Sequence, residues 1–263
     1  HHRSSAASDV YKRQAERFRF VGRERGYHGM NIGCISVGGM INNVKTFASV
    51  LMPGVQHMRH THLPEHKFVK GQPDTGVEMA EDLERIAINF GGENIAACIV
   101  EPIAGSTGTL VPPKGYLKRI REICDKHGIL LIFDEVITGW GRTGSAFASQ
   151  EFGVTPDMIT MAKATTNGVI PMGVVAVREE MYDAVLDSSK NPEGTPELFH
   201  GYTYSGIPAA VAAGLAVQDI FDKEDIFNRA KEMSPYFQDG LHSLQDLKEI
   251  VSIRGYGMMG GIE

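Results

Sequence analysis

Three short stretches of the chain, residues 96–100, 129–133 and 158–162, are almost wholly apolar rather than alternating. That pattern suits strands buried on both faces of a parallel sheet. Between them the periodicity changes. Met79, Leu83, Ile86 and Phe90 fall on one stripe and predict an amphipathic helix over 78–90. A second helix is predicted to open after Pro112 and Pro113 and to stop at His127 and Gly128. Strand, helix, strand in that order is the right-handed βαβ unit of a parallel sheet. Upstream, residues 18–40 read as a strand, a turn at Gly26 and a helix of small residues, and residues 50–74 as a solvated, irregular loop. Downstream, Asn167 and Gly168 are predicted to reverse the chain into an antiparallel return strand over 170–177. An Ala- and Val-rich helix over 207–221 follows, then one from Asp225 to Leu247 broken or restarted at Pro235, then a strand beginning over 249–253. The expected fold class is α/β, a mostly parallel sheet flanked by helices, with the start of a small C-terminal domain after it.

All three apolar runs deliver a charged residue at their carboxyl ends: Glu101, Asp134 followed by Glu135, and Lys163. Open α/β sheets place their ligands in the crevice outside those strand ends. An Asp and a Lys meeting there are either a rim ion pair or the two groups that pyridoxal phosphate chemistry requires. In the second case the amine condenses with the cofactor aldehyde, and the carboxylate keeps the pyridine nitrogen protonated. Val136, one alternation beyond Asp134, either supports a ring face or packs in the core. Tyr27 stands in a turn before His28 and Gly29, where an aromatic either packs or lies flat over a planar group. Thr203 stands ahead of the 207–221 helix, where a hydroxyl caps a helix or binds a phosphate.

The wording around these residues is more specific than the residues alone. Phe133-Asp134-Glu135-Val136, then Gly139-Trp140-Gly141-Arg142-Thr143-Gly144, Asp157, and Ala162-Lys163 with Asn167-Gly168 following resemble the signature of class III aminotransferases. The resemblance runs from about Phe20 to Glu263. It implies the large domain of a fold-type I enzyme dependent on pyridoxal 5'-phosphate, working as a homodimer. Tyr27 matches the aromatic that stacks on the ring, Glu101 the glutamate of the Glu-Pro motif beside it, Asp134 the partner of the ring nitrogen, and Lys163 the catalytic lysine. Thr203 matches the threonine that reaches the phosphate held by the neighbouring subunit. GRERGYHG, EPIAGSTGTLVPPKGYL and AKATTNGVIPMG together are most similar to the ω-amino acid:pyruvate group. That similarity implies ping-pong transfer of an amino group from an ω-amino acid or amine such as β-alanine to pyruvate. Ser106 stands near where the ornithine and 4-aminobutyrate enzymes carry a second glutamate, and Ile207 where close relatives usually have His. A diamine or 2-oxoglutarate aminotransferase, an aminomutase and a non-catalytic homologue are the alternatives; intact Lys163, Asp134 and Thr203 speak against the last.

Composition bounds the rest. The 263 residues are 42% hydrophobic and 22% charged, with a formal net charge of -6, ordinary globular material without the basic excess that binds nucleic acid or an acidic membrane. Cys34, Cys98 and Cys124 have no metal-ligand spacing and read as buried thiols of a reducing compartment, hence the cytoplasm. His57, His60, His62 and His66 lack the second cluster a zinc site needs, and no metal is expected. Residues 1–14, HHRSSAASDVYKRQ, read as an unrelated leader. The expected division is 15–222 for the cofactor-binding large domain and 223–263 for a connecting helix and the beginning of the small domain. The phosphate-cupping Gly-Ser loop of the family lies before residue 15 and its carboxylate-binding arginine after residue 263. The chain is therefore expected to be an internal piece that binds the cofactor poorly by itself.

Overall fold

A computed structural model describes residues 17–188, Leu198 and residues 200–263. Residues 1–14, read above as a leader, lie outside the described residues. The central sheet has six strands: β1 (Arg19–Arg23), β2 (Val55–Met58), β3 (Ile95–Val100), β4 (Leu130–Asp134), β5 (Met158–Met161) and β6 (Val174–Val177). Their spatial order is β2-β1-β3-β4-β5-β6. The first five are parallel, and β6 alone runs antiparallel, beside β5. The helices are α1 (Ile32–Val37), α2 (Ile41–Thr46), α3 (Glu81–Phe90), α4 (Tyr116–His127), α5 (Ala148–Glu151), α6 (Glu179–Ser188), α7 (Pro208–Lys223) and α8 (Ile226–His242). This is the expected mostly parallel sheet flanked by helices.

The main core forms where α3 and α4 cover the sheet. Leu83 and Ile86 from α3 and Ile120 and Ile123 from α4 meet Val100 and Phe133 from the strands, all 2% exposed or less. Each such side chain contributes roughly 1.5–3 kcal/mol by leaving water. Gly128 stops α4 in the left-handed region, at φ 64°, and donates its N–H to the Asp125 carbonyl. A smaller cluster, Ala97, Leu130 and Met181 of α6, holds the other face of the sheet.

The structure differs from expectation in several places. Residues 50–74 are not a solvated loop, because β2 lies within them and adds a parallel edge strand to β1. Its text, Val-Gln-His-Met, has too few apolar positions to announce a strand. The return strand begins at Val174 rather than residue 170, since Thr166 Oγ1 donates to the Ile170 carbonyl at 2.5 Å and keeps that segment in the turn. α8 runs unbroken through Pro235. Its packing outweighs the missing amide: Gln238 Nε2 donates to the Gly257 and Met259 carbonyls at 2.8 and 2.9 Å, fastening the helix to the hairpin beyond. That hairpin, β7 (Ile253–Tyr256) with β8 (Met259–Ile262), starts at Ile253 rather than Glu249 and forms a separate two-stranded sheet. The thiols differ too: Cys98 and Cys124 are buried, while Cys34 is half-buried.

Candidate active site

The parallel register of β3, β4 and β5 brings their carboxyl ends to one edge of the sheet. Glu101 follows β3 and is 4% exposed. Its two oxygens accept the N–H groups of Tyr27 and Gly105, each at 2.9 Å. Burial pushes this carboxyl above its usual range, and those two amides pull it back. Arg23, itself 1% exposed, donates to the Glu101 carbonyl at 2.7 Å.

Asp134 closes β4 and is 7% exposed. One oxygen pairs with His28 Nδ1 at 2.8 Å and the other accepts the Val136 N–H at 3.1 Å. Successive residues leave a strand on opposite faces, so Glu135 turns away. It accepts Thr138 Oγ1 at 3.0 Å and the Ala148 and Ser149 amides at 2.7 and 2.8 Å, and so holds the start of α5. Burial raises its pKa as well, against those same donors. Two adjacent acids therefore divide the work, Asp134 facing the crevice and Glu135 bracing the loop after it. Lys163 lies two residues beyond β5 with φ 47°, a left-handed conformation rare for a residue with a Cβ. Strained positions of this kind persist where the surroundings over-determine them, commonly at functional sites.

A cavity of about 200 Å³ opens between these segments, and Tyr27, His28, Glu101, Asp134, Val136 and Lys163 line it. Beside it, sharing Val136, Ile137 and Lys163, runs a cleft of about 650 Å³ that Ser106 and Arg142 also line. Five of the six residues nominated from the sequence thus meet at one cavity. Val136 arrives by a turn rather than by strand alternation, because β4 ends at Asp134. The sixth, Thr203, is exposed and outside that lining. His28 was not nominated. Its partner is distant in sequence, and only its place between Tyr27 and Gly29 hinted at a role. Arg142, which lines the neighbouring cleft, makes no ion pair among the described residues.

The four histidines of 57–66 serve local structure. His57 Nε2 meets the Gly38 carbonyl at 2.8 Å, His60 Nδ1 accepts the His62 N–H at 3.3 Å, and His66 Nε2 pairs with Thr75 Oγ1 at 3.2 Å. Among the described residues no group of three or more His, Cys, Asp or Glu is placed to hold a metal ion, and no helix is long and apolar enough to cross a membrane.

The chain belongs to the class-III aminotransferase family, whose sequence model matches residues 5–263. It is 55% identical over 246 residues to an omega-aminotransferase of Caulobacter vibrioides, covering 93% of this chain and 55% of that protein. It is 46% identical over 253 residues to the beta-alanine–pyruvate aminotransferase of Pseudomonas aeruginosa, covering 96% of this chain and 56% of the relative. The chain thus spans about half the length of the curated relatives it matches. Among solved structures, a thermostable (S)-enantioselective omega-transaminase from Thermomicrobium roseum superposes with a TM-score of 0.87 at 36% identity, over 98% of this chain and 57% of that one. The omega transaminase of Pseudomonas jessenii in complex with PMP gives 0.88 at 31% identity, over 98% and 56%.

Proposed function

We propose that this chain carries most of the cofactor-binding domain of an aminotransferase that moves an amino group from an ω-amino acid or amine resembling β-alanine to pyruvate, using pyridoxal 5'-phosphate. The observation that carries this is the convergence of Asp134 and Lys163, from neighbouring parallel strands, on one cavity that Tyr27 also lines. The donor set fits the cofactor's ring and aldehyde: a lysine, an aromatic, and a buried carboxylate fixed by two hydrogen bonds with its remaining reach toward the cavity. When bound, the cofactor supplies an aldehyde for the amine and a protonated ring that draws electrons from the carbon losing its proton. Lys163 would be the residue that holds the cofactor through its aldehyde, and its amine, once released, would carry the proton as base and acid. Asp134, oriented by its two hydrogen bonds, would hold the proton of the ring nitrogen. Tyr27 and Val136 would offer apolar surface to the ring, and Glu101 fixes the Tyr27 backbone. The oxo product leaves before pyruvate binds, giving ping-pong kinetics.

A homodimer completes the site. Tyr202 and Tyr204, 74% and 79% exposed on either side of Thr203, support a partner surface there, with the Thr203 hydroxyl reaching the phosphate in the neighbouring subunit. The three free cysteines fit the cytoplasm.

The test is made on the full gene product. Borohydride reduction in the presence of pyridoxal phosphate should fix a pyridoxyl group on Lys163, identified by peptide mass, and Lys163→Ala should abolish it. With β-alanine as donor, alanine should accumulate from pyruvate and glutamate should not accumulate from 2-oxoglutarate. Fixation at another lysine overturns the site, and transfer only to 2-oxoglutarate overturns the acceptor.

A further inference from the structure

One side chain ties together the two turns on which Asp134 and Lys163 stand. Trp140 Nε1 donates to Thr165 Oγ1 at 3.1 Å, and that hydroxyl donates onward to the Ala162 carbonyl at 3.0 Å, one residue before Lys163. On the other side, the Gly139 N–H bonds to the Glu135 carbonyl at 2.9 Å, one residue after Asp134. Trp140 is itself held firmly. Its N–H bonds to the Ala146 carbonyl at 2.6 Å, its own φ is 62°, and its ring lies 5.1 Å from Phe147 and 5.7 Å from Phe221 of α7. Thr165 is 6% exposed, so its hydroxyl has little water to exchange with.

We propose that Trp140 is a positioning residue for Lys163, acting through the hydroxyl of Thr165; the inference rests on the role assigned to Lys163 above. Packing between Phe147 and Phe221 asks only for an aromatic. The indole N–H does something further, because it reaches the one hydroxyl that caps the carbonyl before the lysine. Lys163 needs such a restraint. It sits at φ 47° on a four-carbon stem, and relaxation of its backbone to the right-handed region would re-aim the side chain. The Lys163 carbonyl is held from the other side by the Gly168 N–H at 3.2 Å. Fixing the backbone at both ends places the amine with respect to Asp134, and loss of such placement costs rate far more than binding.

The experiment compares the full gene product with its Trp140→Phe, Thr165→Val and Thr165→Ser variants, after checking by thermal melting that each is folded. Lysine acetylation rates are followed by mass spectrometry across pH after the cofactor has been stripped with hydroxylamine. In Trp140→Phe and Thr165→Val the Lys163 rate profile should change by about threefold or more, while the exposed Lys118 and Lys223 keep theirs. Thr165→Ser, which keeps the hydroxyl, should restore the Lys163 profile. In the loaded enzyme the first two variants should lower kcat by about tenfold or more, with the KM for the amine donor within about threefold. A Lys163 profile identical to wild type in Trp140→Phe overturns the proposal. That variant keeps an aromatic in the packing, so it decides even if Thr165→Val does not fold. If unaltered protein never acquires the borohydride-fixed group at Lys163, the proposed function fails, while the acetylation profiles still judge the restraint.

Discussion

His28 and Asp134 are 106 residues apart in the chain, and their side chains meet at 2.8 Å, Nδ1 to Oδ2. The imidazole is 2% exposed, and its Nε2 has no partner among the described residues, so the ring's one bond there goes to the carboxylate. Because the acceptor is a carboxylate, Nδ1 carries the proton. His28 also follows Tyr27 directly, and the Tyr27 N–H is held by Glu101. One turn therefore carries both the aromatic of the cavity and the brace of its acid.

Replacing His28 by Leu removes that brace and leaves one oxygen of a buried carboxylate without its donor. A hydrogen bond to a charged group is worth about 1.5–3 kcal/mol, so pyridoxal phosphate should bind the variant roughly tenfold to a hundredfold more weakly. Fluorescence titration of the stripped enzyme measures this. Trapping of the cofactor on Lys163 should persist at saturation, and an unchanged affinity would remove His28 from the site.

The strand pair that presents Asp134 depends on another acid. Asp157 is 5% exposed; its Oδ2 accepts the Leu131 N–H and Arg121 Nη1, both at 2.8 Å, and Arg178 lies 3.5 Å from Oδ1. Asp157→Ala takes the acceptor from the Leu131 N–H and leaves the partly buried Arg121 guanidinium with the exposed Asp125 alone, 2.8 Å away, a change that costs about 1.5–3 kcal/mol. Thermal melting should fall by roughly 3–12 °C on the usual scaling for chains of this size. A drop below a few degrees would mean that water replaces the carboxylate.

The positions of Asp134 and Lys163 were legible because each ends an apolar run, and burial on both faces of a sheet writes itself into consecutive residues. Glu101 was legible in the same way, at the end of residues 96–100, and Tyr27 only through its neighbours in a Gly-rich turn. What the sequence hid is what depends on long-range partners. His28 needs a carboxylate from another strand, and Trp140 needs a hydroxyl beyond β5. β2 went unseen because an edge strand half exposed to water has no need of an apolar run. Pro235 pointed to a break, and tertiary hydrogen bonds to Gln238 from a later hairpin overrode it. Local rules locate elements; the pairing between them is settled by contacts that no short window contains.

Gly39 shows how tightly the Tyr27 turn is drawn. Its N–H bonds to the Gly26 carbonyl at 2.8 Å and its carbonyl accepts the Arg25 N–H at 2.7 Å. A Cβ at this position would stand 2.2 Å from the Arg23 carbonyl oxygen and 2.5 Å from the Glu24 Cα, both backbone atoms that cannot rotate aside. Gly39→Ala should therefore lose about 1–3 kcal/mol or more of stability. It should also weaken the cofactor, since the turn bearing Tyr27 and His28 must open. Measured together, a fall in melting temperature with full retention of cofactor affinity would show that the turn relaxes without moving the ring.

The last prediction concerns pH. His62 is half-buried beside Arg254 and Arg25, with Arg254 Nη1 3.5 Å from its Nε2. Burial first, then those two cations, push its pKa down to about 4, with Glu263 opposing and His66 adding a little. The unfolded chain takes up this proton near pH 6.5, whereas the folded protein refuses it until about pH 4. Above 6.5 both states are neutral at this site and its full contribution is present. As pH falls from 6.5 to 4 the unfolded state gains protons first and stability drains away, with no further loss below 4 from this residue. Solvent screening at a half-exposed ring reduces the effect to about 1–2 kcal/mol. Burial lowers the pKa of neighbouring His60 too, so a wild-type curve alone mixes the two. The informative comparison is therefore His62→Gln against wild type in urea unfolding at pH 7.5 and pH 4.5. The variant should lose less stability than wild type between those two values, and equal losses would mean that His62 takes its proton in the folded state as readily as in the unfolded one.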